Sequence, residues 1–181
     1  ADLLALRARA ETDESQFLNM ATVLDNHEFV SAAQEARIWA VGTAVRQGRA
    51  AQVEPVADQL VRSRLRPRLV PAAWLARAEL SEALGDRRGA LAAISRGVTA
   101  AEELAAALGA SEARAHVARS IDDMARLAVR LTADRGTPRR TFDWVERTRS
   151  ASLRLPRIRP ASDEVTAALV AELRNIDRAI E

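Results

Sequence analysis

The feature that most constrains the fold of this chain is helical periodicity in a sequence built largely of alanine. Ala occupies 39 of the 181 positions, and aromatic residues make up only 3% of the chain. Alanine is the best helix former, whereas strands favour β-branched and aromatic side chains. Apolar residues recur three or four positions apart, and no stretch of four or more residues alternates convincingly between apolar and polar. The sequence therefore predicts an all-α protein and excludes an all-β one.

Capping residues, prolines and glycines divide the periodic pattern into about eight helices, followed by one more after a linker. Asp13 can cap a helix, and Gln16 three residues later gives it capping-box spacing. Pro55 and Pro71 fit the first turn of a helix, because proline lacks the amide hydrogen that a helix interior needs. The predicted segments are about 2–11, 13 onwards, 27–47, 51–64, 71–84, 86–109, 111–136, 137–155 and 162–181.

The helices predicted on either side of Gly85 resemble a tetratricopeptide repeat (TPR). They combine a large residue with small ones at the spacing of that family: Trp74, Ala78, Gly85, Asp86, Ala90, Ile94 and Gly97. Gly48 and Gly136 fit the same turn position, but the three glycines are 37 and 51 residues apart, whereas the repeat length is about 34. We therefore predict a right-handed array of degenerate antiparallel hairpins, a TPR-like α-solenoid. An irregular helical bundle is the alternative, since it shows the same amphipathic stripes.

A second resemblance rests on the C-terminal half of the chain. The segment around Phe142 and Trp144 reads F-x-W-x-E-R-x-R, and R-x-R-P closes a proline-bounded linker at Pro160. These motifs resemble the TPR-like region before the caspase-like domain of actinobacterial CHAT proteins, over about residues 65–181. The resemblance implies a sensing or scaffolding region that acts on a downstream peptidase-like domain. We divide the chain accordingly into a TPR-like repeat region (residues 1–155), an Arg/Pro linker (156–161) and a C-terminal helix (162–181).

The two ends of the sequence favour a segment of a longer protein. The chain lacks an initiator Met, and it ends within an apolar helical pattern that no Gly, Asn or Pro stops. We expect the C-terminal helix to lead toward a downstream domain. The apolar face of this helix consists of Leu169, Leu173 and Ile176. It can be covered by that domain or by a second copy of the chain, which would form a homodimer.

Residue inventory argues against an enzyme. The chain has no Cys, which excludes disulfides, thiolate nucleophiles and sulfur-ligated zinc, including the Cys on which a CHAT peptidase depends. His27 and His116 are the two histidines, and we interpret both as surface or interface residues. No Gly-rich phosphate loop or G-x-S-x-G turn is present. We predict no catalytic residue, no cofactor and no metal.

Charge gives little support to a nucleic-acid partner. All 27 basic residues are Arg, against 25 acidic ones, so the net charge is only +2. The sequence pI near 10.6 reflects the absence of Lys, Tyr and Cys rather than a large cationic excess. Arg clusters at 62–68 and 147–159 leave a nucleic-acid-binding regulator as the alternative function. No run of about 18 apolar residues could span a membrane, so a cytoplasmic protein is expected.

The predicted partner is therefore a protein or peptide, bound in a groove lined by the first helix of each hairpin. The residues that the repeat frame places there are Glu35, Leu75, Glu79, Glu82, Asp123, Arg126 and Arg130. Six further residues are predicted to hold the hairpins together: Trp74, Ala78, Gly85, Ala90, Phe142 and Trp144.

Overall fold

The protein is all-α throughout the part of the chain that the structure describes. The structure is a computed structural model, and it describes residues 13–107, 111–133 and 137–153. Over these residues there are seven α-helices and no strand. They are α1 (Glu14–Asn26), α2 (Val30–Arg46), α3 (Glu54–Arg62), α4 (Val70–Ala83), α5 (Arg87–Ala107), α6 (Ser111–Ala133) and α7 (Pro138–Leu153). Short 3-10 turns precede α3 (Ala50–Val53) and α4 (Pro67–Leu69). The helices predicted at 2–11 and 162–181, the linker between 156 and 161, Gly109 and Gly136 lie outside the described residues.

Three interhelical turns share one hydrogen-bonding pattern. After α4, Gly85 adopts a φ of +79°, its N–H donates to the carbonyl of Glu82, and the next N–H donates to that of Ser81. These two bonds define a Schellman motif, which satisfies carbonyls that the end of a helix leaves unpaired. The same pair of bonds occurs at Gly48 after α2 and at Glu28 after α1, where φ is +62°. The glycine turns that the sequence predicts at positions 48 and 85 are confirmed.

The predicted helix starts are mostly confirmed, with one difference. Pro55 and Pro71 lie in the first turns of α3 and α4, and the N–H of Gly89 donates to the Asp86 carboxylate at 2.9 Å. Asp13 does precede α1, but its side chain makes no capping hydrogen bond. Arg49 donates to this carboxylate instead. The capping-box prediction at residue 13 is therefore wrong, because a long-range ion pair displaces the local bond.

The core is divided into three layers, and consecutive layers share a helix. The first joins α1 to α2 through Ala21, Ala33 and Ala36. The second joins α2, α3 and α4, and the third joins α4, α5, α6 and α7. Substantial contacts between the described helices connect only helices that are one or two positions apart along the chain. The helices α4, α6 and α7 therefore each pack against the two helices before them, whereas α3 and α5 pack mainly against the one helix that precedes them.

Small residues allow these helices to approach closely. Ala78 and Ala90 are fully buried, and Gly97 lies where α5 meets both α4 and α6. A Cβ atom at Gly97 would lie 2.7 Å from Cε of Met124 and 3.1 Å from Cβ of Trp74. A side chain at position 97 would therefore have to displace the end of the Met124 side chain and press against Trp74 in a packed core.

The aromatic residues predicted to hold the hairpins behave differently from one another. Trp74 and Trp144 are half-buried and pack against the third core layer. Phe142, which was also predicted to help hold the hairpins together, is 62% exposed. It lies two positions before Trp144, which corresponds to about 200° around a helix, and the tryptophan is the one that packs against the third core layer.

Replacing Ala90 tests the packing of the α4–α5 hairpin. We expect Ala90→Leu to destabilise the protein by about 1–3 kcal/mol, since the added carbons overpack a filled site. The matched control is Ala92→Leu, at an exposed position on the same helix. Urea denaturation of both variants measures the effect. Equal stabilities for the two variants would contradict the packing described here.

Candidate functional site

The predicted groove residues lie on alternate helices. Glu35 is on α2, Leu75, Glu79 and Glu82 are on α4, and the remaining three, Asp123, Arg126 and Arg130, are on α6. Within α4 and within α6 the positions differ by three, four or seven, which places them on one helical face. Because α4 packs against both α2 and α6, these faces are neighbours.

A bidentate ion pair joins α4 to α6 at this face. Nε of Arg130 donates to Oε1 of Glu82 at 2.9 Å, and Nη2 donates to Oε2 at 2.8 Å. The planar guanidinium matches the carboxylate in this geometry. The Glu82 hydrogen bond raises the pKa of Arg130 above its usual value. Two of the predicted residues are therefore direct partners across α4 and α6.

Arg126 lies on the same face of α6 and is engaged within its own helix. It donates to the carboxylate of Asp122, and its Nη1 lies 3.8 Å from Oδ1 of Asp123. The hydrogen bond with Asp122 raises the pKa of Arg126. The side chain nevertheless stays 69% exposed, so that an incoming group can still reach it.

Glu79 is the most unusual carboxyl group of this face. It is half-buried between α2 and α6, and burial raises its pKa above the ordinary value. Asp123 and Glu82 raise the pKa further, while Arg46 and Arg130 oppose the shift. We call the five residues Arg46, Glu79, Glu82, Asp123 and Arg130 the charged cluster.

Arg46 belongs to the charged cluster but was missed by the sequence prediction. It is the last residue of α2, and its Nη2 donates to Oγ1 of Thr43 at 3.0 Å. Its position, three helical turns after Glu35, places it on the same face of α2 as that glutamate. This periodicity was the signal that could have identified it.

Two of the predicted groove residues, Glu35 and Leu75, lie outside the charged cluster. The carboxylate of Glu35 lies 3.7 Å from Nη2 of Arg68, in the turn before α4. Leu75 is half-buried and packs against the third core layer. As an apolar anchor for a partner, Leu75 therefore offers only the edge of its side chain.

Several arginines of the two basic clusters bond to neighbouring parts of the chain. Arg62 lies 3.6 Å from Asp58, and Arg68 pairs with Glu35. Arg147 donates to Oγ of Ser95 at 2.8 Å and stacks over the ring of Trp144 at 5.3 Å. These contacts hold helices and turns together. The cluster positions beyond 153 lie outside the described residues.

The histidines and carboxylates do not assemble a metal site in the part of the chain that the structure describes. His27 is exposed at the end of α1, and the side chain of His116 is outside the described part. No group of three or more potential ligands is close enough to hold a metal ion among the residues described. Within the same residues, no helix is both long enough and apolar enough to cross a bilayer.

Comparisons with protein-family models, with curated protein sequences and with solved structures found no match to this chain. The charged cluster and the packing around it are therefore interpreted from their own geometry.

Replacing Glu79 tests the electrostatics of the charged cluster. A carboxyl whose pKa is raised by folding stabilises the protein below its unfolded pKa, near the ordinary value of 4.5, and this contribution is lost as the pH rises through the folded pKa. We therefore expect Glu79→Gln to raise the melting temperature at neutral pH. The gain over the wild-type protein should disappear in acid, where Glu79 is protonated. A gain that is independent of pH, or a loss at neutral pH, would contradict this assignment.

Proposed function

We propose that the protein is a TPR-like α-solenoid whose hairpins are α2–α3, α4–α5 and α6–α7, arranged as a right-handed array. Three observations support this arrangement. The first helix of the second and of the third hairpin packs against both helices of the hairpin before it, consecutive core layers share a helix, and a glycine turn lies within each of the first two hairpins. Alternate helices of such an array form one continuous surface, which is the surface that repeat proteins offer to partners.

The function that this geometry supports best is non-catalytic binding of a protein or peptide. The observation that carries the proposal is the charged cluster, which extends over α2, α4 and α6, the first helix of each hairpin. It contains both signs of charge, and Asp123 in it remains 54% exposed. A peptide backbone and its side chains find both donors and acceptors on such a face, while fixed ion pairs such as Glu82–Arg130 reduce the entropy lost on binding.

Within a longer protein, this segment would act as a sensor for a downstream CHAT peptidase-like domain. This part of the proposal depends on the resemblance carried by Phe142, Trp144 and the linker that ends at Pro160. Binding at the first helices would be communicated through the shared core layers toward the C-terminal end. A cytoplasmic location is part of the same proposal.

A nucleic-acid partner has weaker support. Arg147 bonds to Ser95 and stacks on Trp144, whereas Arg62 and Arg68 form long ion pairs of 3.6 and 3.7 Å and stay largely exposed. No aromatic side chain of the described residues stacks between these guanidiniums in the way that single-stranded nucleic acid requires, apart from Trp144, which packs on the core.

Selection from a random peptide library tests the proposed binding face. We expect the wild-type protein to select peptides from the library. The Asp123→Arg variant should bind these peptides about tenfold more weakly, which corresponds to a loss of about 1.4 kcal/mol of binding free energy. The matched control is Glu103→Arg, the same exchange at an exposed position of α5. Fluorescence anisotropy with a labelled selected peptide measures both variants.

Two results would overturn the proposed face. One is the absence of any selected peptide, and the other is a selected peptide that loses affinity for Glu103→Arg and keeps it for Asp123→Arg. Thermal denaturation of both variants confirms that neither exchange unfolds the protein.

A further inference from the structure

An open groove runs along the last hairpin, between α6 and α7. It has a volume of about 510 Å³, and its walls include Ala118, Ala125 and Val129 from α6 and Val145 from α7. A second depression of about 460 Å³ adjoins it at Val145 and includes Phe142. Phe142 and Val145 are among the few large apolar side chains of the described residues that are exposed. The groove therefore presents an apolar surface that the described helices leave uncovered.

The equivalent positions earlier in the array are filled by the next helix of the chain. α4 packs against α2 and α3, and α6 packs against α4 and α5. The buried side chains of α6, which include Ile121, Met124 and Ala128, face these earlier helices. Ala118, Ala125 and Val129 lie on the adjacent face of α6 and line the groove, with Ile121 at the boundary between the two faces. By the same rule, a helix that follows α7 would pack against α6 and α7 along this groove.

The chain supplies a segment with the right pattern and within reach. Residues 162–181 lie outside the described part, and their sequence places five apolar residues three or four positions apart: Val165, Leu169, Leu173, Ile176 and Ile180. Such spacing forms one stripe along a helix. The connection from 154 to 161 can span up to about 28 Å when extended, which is sufficient to reverse direction after α7.

Charge also favours this pairing. Residues 162–181 contain five acidic and two basic side chains, whereas α7 contains four arginines and two acidic residues. Arg119 and Arg149 line the groove together with one acidic residue, Asp122, which pairs with Arg126. An acidic helix against a basic wall gains electrostatic complementarity at its edges while its apolar stripe is buried.

We propose that the groove between α6 and α7 is the docking site for residues 162–181 of the same chain. The segment then occupies the position of the first helix of a further hairpin and covers Phe142 and Val145. This assignment differs from a role of the segment as a dimer interface, and it does not depend on the proposed peptide-binding face.

Disulfide trapping tests the proposal, because the natural chain contains no Cys. Val145→Cys is combined in separate variants with Leu169→Cys, Leu173→Cys or Ile176→Cys on the apolar stripe. The matched controls combine Val145→Cys with Ala167→Cys or Ala171→Cys, which lie about 160° from the centre of that stripe. Oxidation of the full chain is followed by gel mobility and by mass spectrometry. None of these exchanges introduces a charge into the groove.

We expect at least one stripe variant to form an intrachain disulfide about tenfold faster than both controls, because docking raises the effective concentration of the facing thiol. Equal rates for stripe and control variants would show a tethered segment that does not dock, and would overturn the proposal. Disulfides formed between chains would assign the groove to a second copy and would overturn it as well. The disulfide rates do not depend on whether the Asp123→Arg variant loses peptide binding, so the two proposals can fail independently of each other.

Discussion

The close approach of three helices at Gly97 is the contact on which the arrangement of the described helices depends. Met124 of α6 and Trp74 of α4 both occupy the space where a side chain of residue 97 would lie. Because α4 and α6 meet through this point, the α2–α4 layer and the α6–α7 hairpin are held in one array. The same approach brings Glu82 within hydrogen-bonding distance of Arg130. Four of the five residues of the charged cluster lie on α4 and α6, the two helices that meet α5 at Gly97.

Arginine links many of these helices at their edges. Arg77 joins α4 to α3 through Asp58 at 3.0 Å, Arg130 joins α6 to α4, and Arg147 joins α7 to α5. Each is long enough to cross a gap between helices and carries a planar group with several donors. Single exposed pairs contribute little to stability, so the packing of the core, rather than these contacts, holds the helices in place.

The sequence was most informative where a local rule operates. Gly48, Gly85, Pro55 and the cap at Asp86 follow from backbone geometry, and the structure confirms them. The sequence is less informative where a residue far away along the chain determines the local structure. The Asp13 cap is lost to Arg49, a residue 36 positions away, and the turn at Glu28 carries no glycine to mark it. Helical periodicity places Glu79, Glu82 and Arg130 on neighbouring helices, whereas the sequence pattern does not show that Trp144 packs on the core and Phe142 is exposed.

Equilibrium unfolding of Gly97→Val, alone and combined with Met124→Ala, tests the central claim most directly. We predict that Gly97→Val costs about 1–3 kcal/mol, since the new side chain overlaps Met124 and Trp74. Removing the Met124 side chain should make room for the valine, so that the double variant is more stable than the sum of the single effects predicts, by about 1 kcal/mol. A Gly97→Val protein as stable as the wild type, or strictly additive effects, would contradict the account of three helices that meet at this glycine.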